Sequence, residues 1–269
     1  MVRKLFKHEF AALGRVLLPT CAVLPAIAAC VRLLLFFETD TLLFNILFTS
    51  TVTALVVACI VVTVLTSAMV VVRFYRNLFT SEGYLSFTLP VTPTQHLWVK
   101  LLSALLFELI ALVAVLLAAV IATEGELLVE IFRAAAYYVE LILRGAIGAH
   151  FWGYLAEVLV LLPVLWTVQL LTLYACMTVG QLAKKNRILL AVGVYFAYTS
   201  IMQTLSSTAT FILPILGEEF WEPIVSFIGA HPHASAHMAL IGAIVFSAAF
   251  GVLLFFICRH ILNRRLNLE

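Results

Sequence analysis

Charged residues are scarce in this chain of 269 residues, of which 11% are charged and 64% are hydrophobic. Soluble domains carry about 25% charged residues, because their surfaces must face water. No stretch of about 50 residues, which is the lower limit of usual domain size, has that ordinary composition here. The sequence therefore excludes a separate soluble domain and predicts one membrane-embedded domain over residues 1–269.

Motifs for nucleotide and catalytic chemistry are also missing. The chain has no G-x-x-x-x-G-K-[ST] phosphate-binding loop, so it cannot bind and hydrolyse ATP in that manner by itself. It has neither a G-x-S-x-G nor an H-E-x-x-H motif. We therefore expect a chain that is not an enzyme, carries no cofactor of its own and has no nucleic-acid partner.

Close-spaced cysteine pairs, which would indicate disulfides or metal ligands, are absent from the sequence. All five cysteines lie in apolar stretches, where we expect them to be small buried hydrophobic side chains. They are Cys21, Cys30, Cys59, Cys176 and Cys258.

Long hydrophobic runs are abundant, and a membrane span needs about 20 such residues. The sequence predicts an all-α membrane protein with six transmembrane helices. Their expected ranges are 17–37, 43–72, 101–122, 155–180, 188–213 and 237–262. The run 43–72 is long for one bilayer, so it either tilts or projects into water.

The distribution of basic residues sets the orientation of these spans. With the N-terminus in the cytoplasm, 13 of the 16 Lys and Arg residues lie in cytoplasmic segments. Nine of the acidic residues then lie on the outer side of the membrane, in the outer segments or near the outer ends of the spans. We therefore expect a multi-pass protein of the bacterial cytoplasmic membrane with both termini inside.

Three segments outside the spans have their own patterns. Residues 1–16 mix basic and apolar positions at helical spacing, which predicts an amphipathic helix at the membrane surface and not a cleavable signal. In the outer segment 123–154, an apolar face over 126–144 predicts a second surface helix. The outer segment 214–236 is broken by prolines and glycines, which favours a short re-entrant or interfacial pair.

Segment 73–100 is a polar, proline-bearing stretch between two apolar spans, and it is unusually rich in aromatic residues. Aromatic side chains on the solvent side usually mark a docking surface. They are Phe74, Tyr75, Phe79, Tyr84, Phe87 and Trp98. The pattern predicts a long cytoplasmic loop that binds a partner.

The order of these segments resembles the type-2 ABC exporter permeases, and this resemblance extends over essentially the whole chain. Its most specific motif reads RFY at 73–75, NLF at 77–79 and EGYLSFTLPV at 82–91. This run looks like the first cytoplasmic loop of a permease group common in Gram-positive gut bacteria. The opening KLFKHEF at 4–10 is similar to the start of that group.

The resemblance implies that the loop carries a coupling helix, which sits in a cleft of a separate ATP-binding-cassette ATPase subunit. The contacting residues would be Glu82, Gly83, Tyr84, Leu85, Ser86 and Phe87, with Tyr84 and Phe87 as anchors. ATP and Mg would be bound by that subunit. A second permease copy or a related permease would complete the exporter as a homodimer or heterodimer. The basic loop Gln181–Arg187 would be a second ATPase contact, or its positive charge serves only to orient the spans in the membrane.

Polar residues that interrupt the spans are candidates for a substrate path, because such residues are costly in lipid. They are Arg32, Glu108, Glu157, Gln169 and Gln203. Arg32 and Glu157 lie at matching depths, so they either pair or extend to the outer surface. Glu108 either lines a cavity or makes a structural hydrogen bond, and the two glutamines fit inter-helix hydrogen bonds.

The motif H-x-H-x-x-x-H, formed by His231, His233 and His237, has a spacing that transition metals can use. Pro232 and the lack of a nearby acid or cysteine favour a solvated loop instead. The expected cargo of the exporter is hydrophobic or amphipathic. The alternatives are an ion-coupled secondary transporter, for which Glu108 or Glu157 would be essential, and a non-transporting immunity or sensor protein.

Overall fold

The computed structural model describes residues 2–37, 39, 41–80, 83, 91–126, 129, 130, 133, 134, 137, 140, 148–183, 185–212 and 218–264. Seven α-helices are described from end to end. They are α1 (Val2–Leu35), α2 (Leu42–Phe79), α3 (Pro93–Ala122), α4 (Phe151–Gly180), α5 (Arg187–Ile212), α6 (Glu218–Ala230) and α7 (Pro232–Arg264). A short 3₁₀ helix, Gly148–His150, leads directly into α4.

Six of these helices are long and apolar enough to cross a membrane, and each contains one of the predicted spans or nearly all of it. They are α1 to α5 and α7, whereas α6 has only 13 residues. The described residues form no strand. The prediction of an all-α protein with six apolar spans is therefore confirmed, and the chain is a multi-pass membrane protein.

Helix α1 is continuous where the sequence predicted a surface helix over 1–16 and a separate span over 17–37. Its buried side chains form one stripe at spacings of three and four, which are Leu13, Leu17, Cys21, Leu24, Ala28 and Val31. This stripe crosses the expected boundary, because the same face of α1 packs on both sides of it. The structure thus contains one long helix here and not two.

The predicted long loop 73–100 is also shorter than expected, because both of its ends are helical. Helix α2 continues to Phe79, and α3 begins at Pro93. Thr92 caps α3: its hydroxyl accepts a hydrogen bond from the Gln95 amide, and the Gln95 side chain accepts one from the Thr92 amide. Proline suits the first position of a helix, where its missing N–H costs nothing. Only residues 80–92 remain between the two helices.

The chain divides into two compact units, Met1–Glu140 and Leu141–Glu269. In the first unit, α1 packs against α3 and α2. The core between α1 and α3 has small buried residues on the α3 side. They lie at helical spacing against the apolar stripe of α1, and they are Ala111, Ala114 and Ala118. Small residues allow helices in a membrane to approach closely.

In the second unit, α4 packs against α7 and α5, and α6 contacts α7. Two glycines mark close approaches between these helices. A Cβ atom on Gly251 would lie 3.1 Å from Val168 of α4, and one on Gly180 would lie 2.6 Å from the Cβ of Ala191 in α5. Helix α4 is therefore the central element of this unit.

Two predicted outer segments are only partly described. Of the surface helix expected over 126–144, most residues lie outside the described part of the chain. In the segment 214–236, the structure has one short helix, α6, followed by the first turn of α7. The last residues of this segment therefore belong to a long helix that begins at Pro232, and the re-entrant or interfacial placement of the segment stays a prediction.

Candidate functional site

A buried carboxylate, Glu9 on α1, joins the first three helices at one end of the first unit. Its Oε1 atom lies 2.9 Å from Arg73 Nε on α2 and 3.0 Å from Lys100 Nζ on α3. Its Oε2 atom accepts a hydrogen bond of 3.3 Å from the Asn77 side chain, one turn beyond Arg73 on α2. We call these four residues the Glu9 network.

Burial makes the Glu9 network energetically important. Glu9 is 8% exposed and Lys100 is 5% exposed, so both charges have left bulk water. A buried charge is tolerated when an opposite charge and hydrogen bonds replace its hydration. One carboxylate here serves two cations, and Arg73 keeps part of its side chain exposed. The network thus joins α1, α2 and α3 through hydrogen bonds to a single carboxylate.

The Glu9 network lies on the two helices that flank the segment 80–92. Arg73 and Asn77 lie in the last two turns of α2, and Lys100 lies about two turns into α3. A small cavity of about 30 Å³ adjoins the network, with His96 and Val99 of α3 in its lining. The network therefore fixes both ends of the segment to α1.

Sequence reasoning did not single out Glu9, and it placed Arg73 and Lys100 in a loop. One signal was available, because Arg73 and Asn77 are four residues apart and so share a face of a continued helix. The partner of that face could not be found in the same way, since Glu9 lies 64 residues from Arg73 and 91 from Lys100.

The residues predicted to contact an ATPase, Glu82 to Phe87, lie outside the described residues apart from Gly83. Gly83 is buried, and its amide donates a hydrogen bond of 2.8 Å to the Thr80 carbonyl. The predicted coupling helix stays a prediction.

Glu108 makes a hydrogen bond to a neighbouring helix, which was one of the two expectations for it. The Ser67 hydroxyl of α2 donates to Glu108 Oε1 of α3 over 3.0 Å, in a half-buried position. This bond joins two spans within the first unit. The geometry assigns Glu108 a structural contact and leaves its role in a substrate path untested.

Replacing Ser67 with alanine is expected to lower the free energy of unfolding by about 1 kcal/mol, because Glu108 loses a hydrogen-bond donor between helices. Thermal unfolding of the detergent-solubilised chain would measure this loss. Ser50→Ala is the matched control, since Ser50 is exposed and donates only to Leu47 of its own helix. Equal effects from both substitutions would mean that the Ser67–Glu108 contact adds nothing.

Arg32 and Glu157 each have a partner in their own unit. Arg32 forms an ion pair with Glu124, just beyond the end of α3, and its guanidinium lies 5.3 Å from the centre of the Phe36 ring. Glu157 pairs with His237 of α7. Matching depth alone could not identify these partners.

Gln169 and Gln203 both have exposed side chains. The hydrogen bonds between packed helices that the sequence suggested for them therefore do not fit their positions within the second unit. Exposed amides on membrane-spanning helices remain costly in lipid unless they face water or another polar group.

The histidine motif does not form a solvated loop. His231 is exposed, but His233 and His237 lie in the first turns of α7 and pack against Tyr154 and His150. Among the described residues, no three His, Cys, Asp or Glu side chains converge in a way that could hold a metal ion. The expectation of no metal site thus stays a prediction, whereas the expected loop is wrong, because α7 begins at Pro232.

Comparison with protein-family models, curated proteins and solved structures found no match to this chain.

Proposed function

We propose that this chain is the membrane-spanning permease subunit of an ATP-driven exporter, in which the segment 80–92 docks onto a separate ATPase subunit. The observation that carries the proposal is the Glu9 network, which joins the two helix ends flanking this segment to α1. The cargo would be hydrophobic or amphipathic, and it would leave through the bacterial cytoplasmic membrane.

The network supports mechanical coupling between a docked partner and the spans. A force on the segment 80–92 acts first on the end of α2 and the start of α3. Because Glu9 bonds to both helices and belongs to α1, the three helix ends would move together. Rigid transfer of motion from a docking element to packed helices is a common mode of switching.

The sequence of the segment supports docking of a protein partner. It carries Tyr84 and Phe87, and aromatic anchors supply much of the free energy in protein interfaces. The chain lacks a phosphate-binding loop, so in this proposal ATP and Mg would be bound by the partner. A second permease copy or a related permease would complete the transporter, because the resemblance is to two-permease exporters.

An ion-coupled secondary transporter is the second candidate, and the Glu157–His237 pair within the second unit favours it. Ionisable pairs inside spans often belong to proton or ion pathways. This candidate predicts transport without any ATPase subunit. A non-transporting immunity or sensor protein would need neither the ATPase nor the pair.

Capture of the tagged full chain from its native membrane is expected to recover an ATP-binding-cassette ATPase. The double substitution Tyr84→Ala and Phe87→Ala should reduce that recovery at least about tenfold, because two interface anchors of more than 1 kcal/mol each are lost. Mass spectrometry of the captured proteins and an ATPase assay would measure the effect.

The matched control is the double substitution Phe37→Ala and Phe211→Ala. Both phenylalanines are 74% exposed and lie at helix ends predicted to face the outside. This variant should retain the ATPase. If the chain is recovered intact and without an ATPase, the exporter proposal is wrong and the ion-coupled candidate takes its place.

A further inference from the structure

His237 of α7 is held against α4 by three contacts in the second unit. Its Nδ1 atom lies 2.7 Å from Glu157 Oε1, and its ring stacks on Tyr154 with centroids 4.2 Å apart. A Cβ atom on Gly153 would lie 3.0 Å from the His237 ring, so the missing side chain there makes room for the imidazole.

Two further imidazole rings, those of His150 and His233, lie beside the His237–Glu157 pair. His150, at the end of the 3₁₀ helix, stacks on His233 with ring centroids 4.5 Å apart and lies 5.5 Å from the His237 ring. The Tyr154 hydroxyl lies 3.2 Å from His233 Nδ1. The outer cluster consists of His150, Tyr154, Glu157, His233 and His237, and it joins the 3₁₀ helix, α4 and α7.

Glu157 is under-satisfied in this cluster. Its Oε2 atom is buried and takes no hydrogen bond from the described residues, so the carboxylate has a partner on one oxygen only. A buried polar atom without a hydrogen bond costs about 1–3 kcal/mol, and more when it is charged. A proton on the His237 ring would offset part of this cost, because it turns the 2.7 Å contact with the carboxylate into an ion pair.

The described titratable groups around His237 are few. Helix α4 contributes Tyr154 and Glu157, the 3₁₀ helix contributes His150, and α7 contributes His233. Helix α6, which also packs on α7, places Phe227 against the His231 ring, and its Glu222 is exposed. Among the carboxylates that the structure describes, Glu157 is therefore the one that contacts these histidines.

We propose that the outer cluster is a proton-binding site, in which uptake of a proton by His237 ties α7 to α4 through Glu157. Imidazole is the side chain that ordinarily changes charge between pH 5 and 8. The packing of α4 against α7 would therefore respond to acidity on the side of the membrane where the cluster lies. This site does not depend on the identity of the transporter, so it can be tested separately from the exporter proposal.

The test uses the full chain in lipid nanodiscs with ¹⁵N-labelled histidine rings, titrated from pH 8 to pH 5. Resonances are assigned with single His→Gln variants. In Glu157→Gln, the ratio of charged to neutral His237 at a given pH should fall at least about tenfold, because an anion in contact favours the charged ring. Glu222→Gln, an exposed acid on α6, should leave the ratio unchanged. The exposed His231 is the internal reference.

Two further measurements keep the test decisive. Gly153→Ala places a methyl group against the His237 ring and should reproduce the effect of Glu157→Gln while keeping the carboxylate. Hydrogen exchange in the first turns of α7 should be slower in the unmodified chain than in Glu157→Gln, with the larger difference at pH 5. An unchanged His237 ratio in Glu157→Gln, or an exchange difference that does not vary with pH, would overturn the proposal.

Discussion

Glu9→Ala is expected to lower the free energy of unfolding by about 3–5 kcal/mol, which is the usual cost of removing one partner of a buried ion pair. Lys100 is 5% exposed and would lose the carboxylate that lies 3.0 Å from its Nζ atom. Arg73 is expected to be less affected, because its side chain is 28% exposed and can turn toward water. Thermal and denaturant unfolding of the chain in detergent would measure the loss.

A double substitution separates the ion pair from simple loss of packing. Glu9→Met with Lys100→Met replaces both buried charges with apolar side chains of similar length, and such replacements are often nearly neutral. We therefore expect the double variant to be more stable than Glu9→Ala. Glu130→Gln, at an exposed acid in the same unit, is the control and should have little effect. A loss below about 1 kcal/mol for Glu9→Ala, the level of an exposed pair, would contradict the role given to the network.

Gly180→Ala is the second substitution with a large expected effect, because the new methyl group has no space. Its Cβ would lie 2.6 Å from Ala191 Cβ and 2.8 Å from the Arg187 carbonyl oxygen. Neither neighbour is the flexible end of a side chain, so the backbones of α4 and α5 must separate. Overpacking of this kind costs about 1–3 kcal/mol and occasionally more. The unfolding midpoint of the detergent-solubilised chain would report it.

Gly193→Ala is the matched control on the same helix pair. A Cβ there meets no atom within 4 Å, so the substitution tests helix propensity without packing. Alanine is favoured over glycine in a helix interior by about 1 kcal/mol, and this variant should be as stable as the unmodified chain or more stable. If Gly180→Ala behaved like Gly193→Ala, the close crossing of α4 and α5 would be wrong.

The six spans could be predicted from the sequence because each depends on local composition alone. Twenty apolar residues in a row have few alternatives to a membrane-spanning helix. The ends of the helices were less well predicted, although the sequence held usable signals. Thr92, Pro93 and Gln95 form a capping box with proline at the first helical position, which marks the start of α3. Pro232 begins α7 in a similar position, so the same proline that interrupts the segment 214–236 also marks the start of a span.

The contacts within the candidate site could not be predicted in this way, because they join residues far apart in sequence. Glu9 meets Lys100 across 91 positions, and Glu157 meets His237 across 80. Hydropathy places such residues at a depth but says nothing about which helices are neighbours. Arg32 illustrates the limit, since hydropathy gave no sign of its partner within the first unit, Glu124.

The separation between Glu9 and its partners also has a consequence for biosynthesis. A ribosome that adds about 5–20 residues per second needs several seconds or more to pass from Glu9 to Lys100. During that interval the nascent α1 carries a carboxylate whose two cations have not both been made. The first helix therefore cannot complete its packing when it leaves the ribosome, and the first unit assembles only after its third helix has been translated.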